Sequence, residues 1–279
     1  MHQSEKIRNF YNKYGVQEWE RLDKTPYDRL NFLLHMDFID GYIDEEKDVF
    51  DVGCGAGRFS IEFAKKGKEV SLLDISDVQM QLAKEKLEQF GVSNKLKEAH
   101  VGDIANMYQI EDNRYDVTVC YGAPLNYLFD NYIEGIKELY RVTKPGGHVF
   151  ISVNSRFGVI HSLMSNHDFD ITNFLGKPDY WYIDEVVTTG NLAEHPEVAH
   201  PSRHMFEAVE LRDILENIGF LDIEMASSPC LSAGLRQRVD QIAENKEAWE
   251  TLVKLELATY KKQTTLDLGE FLLIKGVKK

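Results

Sequence analysis

A doubly wound α/β fold, with helices on both faces of a mostly parallel sheet, follows from three features of this 279-residue chain. Short apolar runs alternate with helix-spaced segments from Val49 to Val153, the signature of successive βαβ units. The first unit, Val49–Gly67, reads as a buried strand, a glycine turn and a helix. Apolar residues make up 43 % of the chain, enough to fill the core of one large domain.

Ahead of the sheet, Ile7, Phe10, Tyr11 and Tyr14 fall at helical spacing before Gly15. A second helix is expected over Tyr27–Gly41, starting after Pro26 and carrying Leu30, Leu33, Leu34 and Phe38. The first strand, Val49–Val52, runs into Gly53, Gly55 and Gly57, residues that tolerate positive φ and let a ligand approach the backbone. The helix that follows carries Phe59, Ile61, Phe63 and Ala64, and its first turn offers unpaired N–H groups to that ligand. A second strand, Glu69–Leu73, ends in Asp74, placed at the crevice of an open α/β sheet to accept from a ribose diol. Ser76 is set to cap a helix reaching Phe90, with Ala83, Leu87 and Phe90 on one face and Gly91 at its end.

A third strand at about 95–101 leads to Gly102-Asp103-Ile104. The fourth, Tyr115–Tyr121, leads to Gly122-Ala123-Pro124. A helix over Tyr132–Val142, a tight turn at 144–147 and a fifth strand, His148–Val153, complete the regular part. Residues 154–206 break this rhythm. They hold five of the nine histidines and the run Tyr180-Trp181-Tyr182, and they are too long for a simple connection. We read them as an inserted cap. Regularity returns with a helix through Leu211, Ile214, Leu215 and Ile218 closed by Gly219, a strand at Phe220–Met225, a long helix over Leu235–Tyr260 and a last strand, Glu270–Val277. The expected organisation is a single domain: an N-terminal helical lid (1–47), a ligand-binding core (48–153), the cap (154–206) and the rest of the core sheet (207–279).

A net charge of −14 without a dense Lys/Arg run argues against nucleic acid or an anionic membrane as a partner, and plain solubility accounts for the acidic balance. The three cysteines, Cys54, Cys120 and Cys230, are scattered with no metal spacing, which favours a reduced, cytoplasmic compartment. Cys54 and Cys120 read as small packing residues rather than nucleophiles. The first fifteen residues hold no apolar signal core, and no run reaches membrane-spanning length.

The glycine spacing narrows the ligand. A dinucleotide loop expects G-x-G-x-x-G. Here the third glycine, Gly57, comes one residue early and Arg58 follows. Asp51-x-Gly53-x-Gly55-x-Gly57 after an apolar strand, with Asp74 closing the next strand, resembles the nucleoside loop of class I S-adenosylmethionine (SAM)-dependent methyltransferases. The specific motifs span Val49–Val153. The resemblance implies a seven-stranded sheet whose last strand is antiparallel and sits beside the fifth, with SAM as cofactor and S-adenosylhomocysteine as product. It further implies that Asp51 serves the methionine end. The loop of Gly53, Cys54, Gly55 and Gly57 would receive the methionine and ribose, and Asp74 would take the ribose hydroxyls. Ile75 would pack on the adenine, Asp103 would accept from its amino group, and Ile104 would add a backbone contact. Cys120 and Tyr121 would lie beside the sulfonium.

The acceptor is less legible. The family's adenine- and amide-methylating branches carry Asn/Asp-Pro-Pro-Tyr after the fourth strand, where this chain has YGAPLNY. The acidic metal-ligand set of the catechol branch cannot be assigned either. A small-molecule acceptor follows, methylated at O, N or C and held by the N-terminal helices and the cap. Tyr11, Tyr14 and Trp19 are candidates to contact it, Trp19 foremost, although each ring also suits core packing. His195, His200 and His204 lie in HPEVAHPSRHMF, where Pro196 and Pro201 interrupt any helix that would align the rings on a metal. No metal is expected. His200 and His204 are the candidates for acceptor contact or general base, and Arg156 and Arg203 for neutralising an acidic acceptor. Methyl transfer depends chiefly on in-line positioning, with a base required only for a protonated acceptor. The competing readings are a non-catalytic SAM-binding sensor or scaffold and an NAD-dependent oxidoreductase, the latter opposed by the shortened glycine pattern.

Overall fold

The computed structural model describes residues 3–165, 170–176, 181–194 and 201–279. Two helices, α1 (Gln3–Tyr14) and the single turn α2 (Gln17–Glu20), lead into α3 (Pro26–Ile39). Thr25 starts α3 with a capping box: its side chain accepts from Asp28 N while the Asp28 carboxylate accepts from Thr25 N, and Pro26 occupies the first helical position. The alternating core follows: β1 (Asp48–Val52), α4 (Arg58–Lys66), β2 (Glu69–Asp74), α5 (Asp77–Gln89), β3 (Leu96–Val101), β4 (Tyr115–Cys120), α6 (Tyr132–Val142) and β5 (Thr143–Asn154). Ser76 caps α5 through its side-chain oxygen, which accepts from Gln79 N at 3.0 Å.

Beyond β5 come α7 (Arg156–Ser165), α8 (Ile171–Leu175) and α9 (Trp181–Thr189), then a two-residue hairpin of β6 (Asn191–Leu192) and β7 (Arg203–His204). Val186, Leu192 and Met205 bury against Val159, Ile160 and Leu163 to give this segment a small core of its own. The chain re-enters the sheet layer through α10 (Ala208–Ile218), β8 (Phe220–Ser228), α11 (Arg236–Ala243), α12 (Lys246–Thr259) and β9 (Phe271–Lys278). Gly219, at φ 109°, closes α10 as expected. The long helix expected over Leu235–Tyr260 is two helices. Asn245 breaks it, with its side-chain oxygen accepting from Ala248 N at 2.9 Å to restart α12. β5 begins at Thr143 rather than His148, because the 144–147 turn stays in the strand and is absorbed by a register irregularity against β4.

The seven main strands run in the order β3-β2-β1-β4-β5-β9-β8. The neighbours from β3 to β5 pair in parallel, and β9 is antiparallel to both β5 and β8. This is the mostly parallel sheet with an antiparallel last strand beside the fifth. Successive strand residues point to opposite faces, so each strand feeds two cores. Val49, Val117 and Val119 face α3, α4 and α5. Phe50, Tyr115 and Cys120 face α6 and α10. Phe50 stacks on Tyr115 with ring centroids 4.4 Å apart, and burial of a side chain of this size stabilises by about 1.5–3 kcal/mol. Among the described residues, no helix is long and apolar enough to cross a membrane.

Candidate active site

The strand order reverses direction of growth between β1 and β4, and a crevice opens there outside the carboxyl ends of the strands. Its floor is the glycine loop. Gly53 N and Cys54 N both donate to Leu73 O, at 2.7 and 3.1 Å, which ties the loop to the end of β2. Gly53 has φ 74°, and a Cβ there would stand 2.4 Å from Pro124 Cγ, so only glycine fits beneath the segment leaving β4. Asp74 is 6 % exposed: its Oδ2 accepts from Gly55 N and its Oδ1 from Ser76 N, each at 2.8 Å. Burial, above all, raises the Asp74 pKa to about 6. Backbone donors at Ser76, Gly55 and Ile75 pull it down, and the nearby Glu18 charge pushes it up.

The resulting cavity encloses about 760 Å³ of unfilled space, its open mouth included. Gly53, Cys54, Gly55, Asp74, Ile75, Asp103, Ile104 and Tyr121 all line it, so most of the expected cofactor residues converge. Asp103 holds the turn after β3, its Oδ1 accepting from Ala105 N at 2.9 Å. α1 lies across the top. Ser4 donates to Asp103 Oδ2, Arg8 Nε donates to Ile75 O at 3.0 Å, and Gln79 Nε2 donates to the carbonyls of Tyr11 and Gly15. Tyr11 reaches down into the cavity.

Three expected members stand behind this wall. Asp51 is 2 % exposed and does not line the cavity; its Oδ2 accepts from Ser60 Oγ at 2.6 Å. Burial raises its pKa to about 7 despite the Ser60 bond, and the Asp74 charge adds to the rise. Gly57 does not face the cavity. At φ 83°, it lets α4 approach α5, and a Cβ there would meet Ala83 Cβ at 3.1 Å. Cys120 is fully buried in the core beneath Tyr121. Burial raises both the Cys54 and the Cys120 thiols well above their usual range, and neighbouring carboxylates add to it, so neither is a nucleophile at neutral pH.

Among the cavity residues not anticipated, two form an ion pair. Glu18 on α2 and Arg21 just after it form a forked pair, with Arg21 Nη2–Glu18 Oε1 at 2.6 Å and Arg21 Nε–Glu18 Oε2 at 3.1 Å. Burial works to lower the Arg21 pKa, but the Glu18 carboxylate more than offsets it and the net shift is upward. Glu18 leans on the loop, where a Cβ on Gly55 would meet its Cγ at 3.1 Å. A Cβ on Gly122 would come 3.3 Å from Arg21 Nη2. The sequence signal was a Glu-x-x-Arg spacing among aromatics, legible only as a helix-face ion pair.

A second compartment of about 200 Å³ adjoins the first and shares Tyr11, Glu18, Arg21, Gly122 and Tyr127 with it. Tyr14 lines it, together with Phe10, Asn154, Arg203 and Phe271. The other acceptor candidates lie elsewhere. Trp19 packs on Phe90 between the cations of Arg58 and Lys86, outside both compartments. Arg156 is buried against Glu207 and Glu210, which satisfy its guanidinium at the start of α10. His204 is buried with Nδ1 on Asn191 Oδ1 at 2.6 Å and Nε2 on Glu210 Oε1 at 2.7 Å. Its ring stacks on Tyr132, and neither nitrogen is left for a substrate. His195 and His200 lie outside the described residues. Among the described residues, no three His, Cys, Asp or Glu side chains gather as a metal site.

A parallel sheet with a glycine loop at its switch point, an acid closing the second strand and a roofed crevice defines a nucleoside-binding site of the Rossmann-like kind. Comparison with known proteins agrees. A family model described as a methyltransferase domain matches residues 49–147. A protein of Bacillus subtilis (strain 168) named "Putative methyltransferase YqeM" is 27 % identical over 216 residues, 72 % of this chain and 82 % of that one. A ubiquinone biosynthesis O-methyltransferase of Nitrosospira multiformis is 32 % identical over 121 residues. That match covers 42 % of this chain and 48 % of the relative, so the chain spans only about half of that enzyme. Among solved structures, the geranyl diphosphate C-methyltransferase of Streptomyces coelicolor A3(2), in complex with Mg2+, geranyl diphosphate and S-adenosyl-L-homocysteine, superposes with a TM-score of 0.61. It is 12 % identical, with 100 % of this chain and 99 % of that one covered. An S-adenosylmethionine-dependent methyltransferase of Mesorhizobium loti gives 0.60 at 18 % identity, covering 89 % and 97 %. The methyltransferase domain matched at residues 49–147, the methyltransferase relatives and the shared fold together support a class I SAM-dependent methyltransferase.

Proposed function

We propose that this protein moves the methyl group of SAM to an oxygen, nitrogen or carbon of a small-molecule acceptor, acting in the cytoplasm and mainly by positioning. The observation that carries the reading is the pairing of the roofed crevice with an aromatic compartment across Tyr11, Gly122 and Tyr127. The quinone-pathway name of one relative and the terpenoid acceptor of one structural neighbour agree with a small acceptor.

The residues present fit the cofactor. Gly53 and Gly55 line the crevice with bare backbone, and the sugar and methionine would pass along it where Pro124 and Glu18 now lie against the loop. A carboxylate offers about four lone-pair sites, and backbone N–H groups do not use all of those on Asp74, which leaves acceptor capacity for a ribose hydroxyl. Ile75 and Ile104 supply apolar surface for the base, and Asp103 an acceptor for its amino group once Ser4 yields. Arg21 is the cation placed for the methionine carboxylate, and Glu18 its counter-charge for the ammonium. SAM, when bound, supplies a methyl already activated on a sulfonium. The protein's part is to hold the acceptor atom in line, with α1 excluding water.

Calorimetric titration with S-adenosylhomocysteine and with NADH tests the first half of this reading. Binding of the former at micromolar levels is expected, and binding of NADH alone would overturn it. A screen of small metabolites with methyl-labelled SAM tests the second half, and label found only on protein or nucleic acid would refute a small acceptor.

A further inference from the structure

Among the described residues, the second compartment holds one cation more than its carboxylates pair. Three charged side chains line it: Glu18, Arg21 and Arg203. The first two satisfy each other through the forked pair described above. Arg203 has no ion-pair partner among the described residues, and its Nε is buried without a hydrogen-bond acceptor. Arg203 is half-buried, and a buried N–H on a charged group left without an acceptor is costly, a cost that a ligand oxygen would remove.

The backbone around Arg203 is fixed. Ser202 O accepts from Gln3 Nε2 at 3.0 Å, His204 O accepts from Asn126 Nδ2 at 2.5 Å, and Arg203 itself pairs with Leu192 across the hairpin. The guanidinium therefore hangs from a held strand at the wall of a ring-lined space. Arg156, the other arginine of this region, is the contrast: two glutamates account for it fully.

Resting on the methyltransferase reading above, we propose that the acceptor is an aromatic or similarly flat apolar molecule bearing a single carboxylate, which Arg203 receives in its fork. The balance of one unpaired positive charge selects a monoanion over a phosphate dianion, which would call for a second free cation. The rings of Phe10, Tyr14, Tyr127 and Phe271 receive the body of the molecule and present its far end toward Gly122 and the cofactor crevice.

The test uses the full chain saturated with S-adenosylhomocysteine and matched probes titrated by calorimetry: 4-hydroxybenzoate against 4-hydroxybenzamide, cinnamate against cinnamamide, and phenyl phosphate. The carboxylates should bind at least about tenfold more tightly than their neutral isosteres, the scale of one charge-assisted hydrogen bond. Arg203→Gln should erase that preference while leaving the affinity for S-adenosylhomocysteine within about twofold, and Arg203→Lys should keep part of it. Equal binding of acid and amide, a preference that survives in Arg203→Gln, tighter binding of phenyl phosphate, or no binding by any probe while S-adenosylhomocysteine binds would each overturn the proposal and leave the methyltransferase reading standing. Failure of S-adenosylhomocysteine itself to bind would overturn both.

Discussion

Asp74 ties cofactor affinity to pH, and the dependence can be worked out from its surroundings. Its carboxyl, pushed up to about 6 chiefly by burial, is about nine-tenths ionised at pH 7 and about one-tenth at pH 5. The ribose hydroxyls donate to the ionised form, so binding must first remove the proton. The dissociation constant of S-adenosylhomocysteine should therefore rise about tenfold from pH 7 to pH 5, because the ligand's own carboxyl titrates below that window and its amino group above it. Asp74→Asn should weaken binding at pH 7 by about 2–3 kcal/mol, roughly thirty- to a hundred-and-fiftyfold, and flatten the profile. Asp51→Asn should leave the shape of the profile intact, since Asp51 lies behind the cavity. The unliganded protein should show the opposite sign. The folded-state pKa lies above the unfolded value of 3.8, so the fold binds the extra proton and this group adds stability as pH falls from about 6 toward 4. Isothermal titration at four pH values, with thermal melts of the free protein alongside, reads both. An affinity that stays flat or improves toward pH 5, or an unaltered Asp74→Asn, would refute the argument.

Three further outcomes follow from groups away from the ligand. His35, ringed by Phe59, Tyr121 and Phe271, has its pKa lowered to about 4 by burial, so stability present above the unfolded value of 6.5 is lost as pH falls toward 4. His35→Phe should remove that loss, gaining about 2 kcal/mol at pH 5 relative to its effect at pH 7 in denaturant titrations. Glu256 is fully buried and accepts from Cys230 N and Ser232 N, each at 2.8 Å, and from Ser232 Oγ at 2.6 Å. Glu256→Ala strands these donors and should cost about 3–5 kcal/mol by urea melt, whereas Glu256→Gln should retain much of the stability. Gly158 abuts the Gly269 carbonyl so closely that a Cβ would lie 1.7 Å from the oxygen. Gly158→Ala should destabilise by more than about 3 kcal/mol, seen as a drop in melting temperature, because only backbone movement relieves the clash.

Which of these features could be read from the sequence depends on how far apart in the chain the interacting groups lie. Asp74, the glycine loop and the Asp103 turn were legible because a strand, its turn and the next helix place them by local geometry, with parallel pairing adding only a shift to the neighbouring strand end. The strand order was legible for the same reason once the spacing pointed to a family. Gly57 shows where local reasoning fails: its positive φ was foreseeable, but its use against Ala83 depends on how α4 meets α5. The acceptor side is worse, since nothing local decides which of several aromatic or basic residues turns inward. Trp19 and Arg21 are two positions apart on one turn, yet one packs outside under Arg58 and Lys86 while the other enters the cavity. Arg156 and Arg203 were indistinguishable as free cations until Glu207 and Glu210 paired with the first. His204 and Arg203 are adjacent in a strand, so their side chains point to opposite faces. The histidine turns into a polar cluster with Glu210 and the arginine to the compartment wall. Chemistry alone favours the histidine, but strand alternation and a distant glutamate leave its neighbour on the compartment wall instead.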